Sequence, residues 1–115
     1  MKNTIIRISL LLLIILSSCK TEVKSKVTFI ELGSDRCKPC IRMQEVIKKV
    51  KTKYPKKVKT IFYDVWTKEK EHYADDYHIG AIPTQIFLDE NGKEFFRHEG
   101  YFEFDELEKI LKKKL

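Results

Sequence analysis

The chain has 115 residues, 43% hydrophobic and 35% charged, which is the balance of a soluble globular protein and not of a disordered one. With an N-terminal leader set aside, roughly one hundred residues remain, enough for one small domain with a thin core. The formal charge is +6, and it falls to about +4 when Lys2 and Arg7 leave with that leader.

Residues 1–18 read as a lipoprotein signal peptide. Lys2 and Arg7 form a positive n-region, and Ile8 to Leu16 is an apolar h-region far shorter than the roughly 20 residues a membrane-spanning helix needs. Leu16-Ser17-Ser18-Cys19 resembles the lipobox of bacterial lipoproteins, in which the cysteine is acylated and becomes the new N-terminus. Each buried methylene of such an anchor contributes about 0.8 kcal/mol of membrane affinity. The alternative is an ordinary signal peptide that happens to carry a cysteine. Residues 19–26 are then the lipidated Cys19 and a polar tether, and residues 27–115 the folded domain.

Val27 to Leu32 is an apolar run of strand length that stops at Gly33-Ser34. Met43, Val46, Ile47, Val50 and Tyr54 then recur at helical spacing, and Pro55 closes the segment. Val58 to Val65 is β-branched and aromatic and reads as a buried strand. Lys68 to Tyr77 reads as a short helix. Gln85 to Asp89 and Lys93 to His98 flank Glu90-Asn91-Gly92, the signature of a hairpin. Leu107, Ile110 and Leu111 mark a closing helix, with Asp105 and Glu108 spaced as a capping box. The order β-α-β-α-β-β-α implies an α/β fold: a mixed central sheet flanked by helices.

The chemistry concentrates at Cys37-Lys38-Pro39-Cys40. Three cysteines in an exported protein leave one over, and lipidation of Cys19 accounts for it. The strand end near Gly33 and the helix start put Cys37 at a helix N-terminus, where backbone N–H groups and the dipole favour a thiolate. Arg36 and Lys38 add positive potential, and Pro39 is tolerated in a first turn. Cys40 lies one turn inward. Cys37 is thus the expected nucleophile and Cys40 the resolving thiol. The other readings are a permanent structural disulfide and half of a zinc site, although no second CxxC exists and His72, His78 and His98 lack finger-like spacing.

From about Val27 to Leu115 the chain resembles the thioredoxin-fold family. The resemblance rests on the CxxC pair, on Tyr77-His78-Ile79-Gly80-Ala81-Ile82-Pro83-Thr84, and on Asn91-Gly92 and Gly100. It implies that Glu31, six residues before Cys37, is a buried acid that moves a proton to and from Cys40. It also implies that Pro83 is a cis-proline and that the Ile82 backbone, with Lys38 and Pro39, meets the bound substrate chain. The sequence departs from the pattern with glutamate at 31, Arg36 and Lys38 in place of the usual tryptophan and glycine, and no room for an N-terminal strand and helix.

The expected function is a membrane-anchored, extracytoplasmic thiol–disulfide oxidoreductase. It needs no metal or organic cofactor. Its partners would be exported client proteins with disulfides, a membrane electron-transfer protein, and the membrane itself through the anchor, with no role for nucleic acid. Reduction of clients is the favoured direction, although cations beside the pair make a disulfide more oxidising. The rival is a lipid-anchored carrier of copper or zinc using the same two thiolates. The lysines between Lys48 and Lys57 and at Lys112–Lys114 read as solvated faces, or alternatively as contacts for anionic headgroups.

Overall fold

The computed structural model describes residues 22–115, so the expected signal peptide and Cys19 lie outside the described residues. The sheet is built around its most apolar segment. Strand β1 (Val27–Gly33) is buried at every position but Thr28, as a strand covered on both faces must be. On one side it pairs in parallel with β2 (Val58–Asp64), Glu31 lying opposite Phe62. On the other it pairs antiparallel with β3 (Thr84–Leu88), Glu31 lying opposite Gln85. Strand β4 (Glu94–Glu99) adds antiparallel to β3, so the order is β2-β1-β3-β4 and the sheet is mixed.

Alternation along the strands makes two cores. On one face Val27, Phe29 and Phe87 meet Met43, Val46, Ile47 and Val50 of α1 (Lys38–Lys53) and Leu107 and Leu111 of α3 (Phe104–Lys112). Phe29 and Phe87 stack with centroids 4.9 Å apart. Burial of each such ring stabilises the fold by about 1.5–3 kcal/mol. On the other face Ile30, Leu32, Val65 and Ile86 pack under α2 (His72–Asp76) and the segment that follows it.

Three expectations are corrected. Val58–Asp64 is not a buried strand: it is the sheet edge, and every residue after Val58 is half-buried or exposed. The helix expected from Lys68 is a series of turns until His72, because Asp64 draws Trp66 and Thr67 into a local turn. The capping box does not form. The closing helix begins at Phe104 with Glu103 as its N-cap and no side-chain cap. Asp105 therefore sits inside the first turn, and Glu108 faces α1, where it accepts from the Tyr54 hydroxyl at 2.8 Å and pairs with Lys53 at 2.6 Å.

The hairpin forms as expected, with its loop one residue longer on each side, so that Asp89 and Lys93 belong to the turn. Asp89 Oδ1 accepts from the N–H groups of Asn91 (2.9 Å) and Lys93 (3.0 Å), and Gly92 adopts φ +79°, a conformation that favours glycine. Among the described residues no helix is long and apolar enough to cross a membrane.

Candidate redox site

Beyond Gly33 the chain turns through Ser34, Asp35 and Arg36 into α1. The Cys37 N–H donates to the Ser34 carbonyl at 3.3 Å, and the Cys37 carbonyl accepts the first helical bond from Ile41 at 2.9 Å. Cys37 is thereby the N-cap, with extended φ −101° and ψ 120°, and Pro39 falls in the first turn, where no helical donor is lost. Cys37 and Cys40 are joined as a disulfide, their Cα atoms 5.1 Å apart. Cys37 keeps 8% of its surface exposed and Cys40 none, so only Cys37 can be met by a second protein. No acidic residue occupies the first turn to oppose a thiolate there.

The rim of the pair is organised by Asp64 at the end of β2. Its carboxylate accepts from the Asp35 N–H (3.3 Å) and the Trp66 N–H (3.1 Å), tying the loop before the cysteines to the loop after β2. Burial pushes the Asp64 carboxyl up, but hydrogen bonds from Trp66, Asp35 and Ser34 outweigh it and hold it below its usual value. The Arg36 guanidinium donates to the Trp66 carbonyl at 3.1 Å and lies 5.6 Å over the indole, which fixes a cation next to Cys37. Trp66 itself is half exposed. A shallow groove of about 290 Å³ runs from it along Val65, Ala74 and Ile79 to Ile82.

Beneath the pair lies Glu31, fully buried on the face that β1 turns toward α1. Gly33, two residues on along the same face, passes so close to α1 that a Cβ built there would stand 3.1 Å from Cys40 Sγ. That step places Glu31 about 6–7 Å down the strand from the Cys40 contact. Burial pushes the Glu31 carboxyl up to about 8, opposed only by a hydrogen bond from Gln85. The Gln85 Nε2–H donates to Oε1 at 3.4 Å, while Oε2 is buried with no partner among the described residues. No ion pair among the described residues reaches this carboxyl.

The third component enters from β3. The Ile82–Pro83 peptide is cis. Thr84, next in line, pairs with Leu32 at the end of β1, which brings Pro83 alongside the loop that carries the cysteines. The Pro83 carbonyl is taken by the Gly100 N–H at 2.7 Å, whereas among the described residues no hydrogen bond engages the Ile82 backbone. Lys38 is exposed and Pro39 half-buried on the same rim.

A family model described as a thioredoxin-like domain matches residues 17–115. The chain belongs to the thioredoxin-like family. Solved structures similar to it include mitochondrial thioredoxin 3 of Saccharomyces cerevisiae in its oxidised form, with 26% identity over 79% of this chain and 82% of that one and a TM-score of 0.65. Fasciola hepatica thioredoxin matches at 23% identity over 82% of this chain and 86% of that one, with a TM-score of 0.69. A thioredoxin of Halobacterium salinarum matches at 19% over 78% and 75%, again with a TM-score of 0.69. A search of curated proteins found no match. With this thioredoxin-like fold and its CxxC pair at the head of the first helix, the chain is a thiol–disulfide oxidoreductase.

The structure thus brings Cys37, Cys40, Glu31, Ile82, Pro83, Lys38 and Pro39 to one end of the sheet, while Cys19 lies outside the described residues. Sequence reasoning missed Asp64, Gln85 and His98. Gln85 carried a usable signal, a polar residue inside an apolar strand, but its register with Glu31 emerges only from the strand pairing. Trp66, half exposed and held against Arg36, stands on the rim of the site. Among the described residues no group of three or more His, Cys, Asp or Glu could hold a metal ion, so the carrier reading gains no third ligand there.

Proposed function

We propose that the protein is a membrane-anchored, extracytoplasmic thiol–disulfide oxidoreductase that reduces disulfides in exported proteins. The observation that carries the direction is Glu31, a buried carboxyl poised near neutrality on the same face as a wholly buried resolving cysteine. A proton acceptor there lets Cys40 become a thiolate just when it is needed.

In this reading the Cys37 thiolate attacks one sulfur of a client disulfide. A mixed disulfide forms and one client thiolate leaves, to be protonated by solvent. Glu31 accepts the Cys40 proton, and the Cys40 thiolate attacks Cys37 Sγ. The second client thiolate departs and the Cys37–Cys40 disulfide remains, two electrons having passed to the client. A dithiol on a membrane electron-transfer protein would restore the pair, and Glu31 would return the proton to Cys40. The client backbone would pair with the free N–H and C=O of Ile82, with its side chains along the groove to Trp66. Lys38 and Pro39 would border it. The anchor would be acyl chains on Cys19.

The test is the reduction potential of the pair, equilibrated against glutathione or dithiothreitol. A value at or below about −250 mV marks a reductant, and one near about −120 to −180 mV an oxidant or isomerase. Fatty-acid labelling that survives Cys19→Ala would remove the anchor from the proposal.

A further inference from the structure

The buried carboxyl does not stand alone. Gln85 donates through Nε2–H to Glu31 Oε1 at 3.4 Å, and on its other side Gln85 Oε1 meets His98 Nδ1 at 2.8 Å. Gln85 is wholly buried, and His98, half-buried on β4, is its register partner. The His98 ring stacks on Phe102 at 4.1 Å and 14°, which fixes its plane. A line of hydrogen bonds therefore runs from the carboxyl across β3 to an imidazole on the rim of the sheet.

We propose that Gln85 and His98 are positioning residues for the redox site: the His98 ring N–H locks the Gln85 amide in the one orientation that donates to Glu31, so that Oε2 alone is left to exchange a proton with Cys40. This rests on the proton-transfer reading of Glu31 given above and extends it to the groups that set its charge.

The polarity of the line carries the inference. A side-chain amide has one accepting and one donating end. When His98 Nδ1–H donates, Gln85 Oε1 must accept, and its NH2 must face Glu31, where it favours the carboxylate. If the imidazole donor is removed, the amide is free to turn over. Its oxygen then faces Glu31 and can be satisfied only by a protonated carboxyl. The carboxyl would then ionise only at higher pH and would take the Cys40 proton less often. Few other groups compete for control. On β2 the residue facing Glu31 is Phe62, and α1 presents Cys40 above Gly33. Arg97 and Glu99, the charged neighbours of His98 on β4, alternate to the opposite face, where Arg97 pairs with Glu94 and donates to the Tyr77 carbonyl.

The experiment follows the Glu31 carboxyl directly, by its 13C resonance in the oxidised protein, assigned through its loss in Glu31→Gln. The pH dependence of single-turnover insulin reduction by the reduced protein is measured alongside. His98→Phe keeps the stack on Phe102 and deletes the donor. It should raise the carboxyl midpoint by about half a pH unit or more and slow exchange at pH 7 about threefold, with the rate profile displaced to higher pH. His98→Asn, which offers an amide N–H near the position of Nδ1, should return both toward the wild-type values. Gln85→Leu should displace the midpoint at least as far as His98→Phe. A midpoint unchanged in His98→Phe overturns the proposal, whatever happens to thermal stability, and so does a shift that His98→Asn fails to reverse. If Gln85→Leu does not fold, the two His98 variants decide alone. If Glu31→Gln leaves the exchange rate intact, the proton-transfer reading falls, while the midpoint comparison still judges the hydrogen-bond line.

Discussion

The two faces of the sheet are made from alternate residues of the same strands, yet they do different work. The face under α1 and α3 is deep: Phe29, Phe87, Met43, Val50, Leu107 and Leu111 are all essentially inaccessible, and the layer ends in Glu31 beneath the cysteines. The face under α2 is shallow. Ile30, Leu32 and Ile86 are buried, but their cover is a five-residue helix and the half-buried rings of Tyr63, Tyr73 and Tyr77. Only the deep face can strip a carboxyl of water. Desolvation there holds Glu31 near neutrality, in the range where a proton can be traded with a thiol. The shallow face supplies a rim instead, from Trp66 to Ile82, that a partner chain can reach.

The largest effect expected on this contrast is chemical. Cys37→Ser should abolish insulin reduction, since the buried Cys40 cannot be reached from outside; residual turnover above background would break the assignment of the exposed cysteine as nucleophile. Glu31→Gln should slow exchange about a hundredfold at pH 7, the usual contribution of a placed acid–base group.

The same variant should change stability in the opposite sense. The folded carboxyl titrates near 8 instead of 4.5, so between those values the native state binds more protons than the unfolded one. Stability therefore falls as pH rises through that window, by on the order of 3 kcal/mol by pH 7. Glu31→Gln should flatten the slope and be the more stable protein at pH 7–8. Urea midpoints at pH 5 and pH 8 that move in parallel for both proteins would refute this.

Packing sharpens the contrast. Phe87→Ala should cost about 3–5 kcal/mol, because nothing can collapse into the space beside Phe29. Tyr73→Ala, which removes a half-buried ring stacked on Tyr63, should cost only about 1–2 kcal/mol. Equal losses in chemical denaturation would mean that the shallow face bears as much of the fold as the deep one.

The smallest effect concerns fit. Gly33→Ala puts a methyl 3.1 Å from Cys40 Sγ and 3.2 Å from Cys40 Cβ, so the helix start must shift by a few tenths of an ångström. Attack of Cys40 on a trapped mixed disulfide should slow by roughly threefold, with binding of the client unchanged. Unaltered kinetics would show that the resolving thiol has slack.

Much of this was legible from the amino acids alone. Strand-length apolar runs, the helical spacing from Met43 to Val50 and the Asn91-Gly92 turn are local signals, governed by neighbours in sequence, and they delivered the element order and the mixed sheet. The CxxC pair with Pro39 placed Cys37 at a helix N-terminus for the same local reason. What depended on distant partners was not legible in that way. Val58–Asp64 has the composition of an interior strand, yet it lies at the edge because β1 takes the centre. Glu108 has the spacing of a capping residue, yet its carboxylate is claimed by Lys53 and Tyr54 across the domain.

The sequence by itself determined where the thiol chemistry lies, since two thiols with two residues between them at a helix start can react with each other in almost any surroundings. Only the tertiary structure decided which groups gather beneath that pair. Glu31 and Gln85 are 54 positions apart, and His98 lies 13 beyond Gln85; strand pairing alone sets them in line. A carboxyl's charge depends on the water it has lost and the donors it has gained, and both are properties of the folded neighbourhood rather than of the residue.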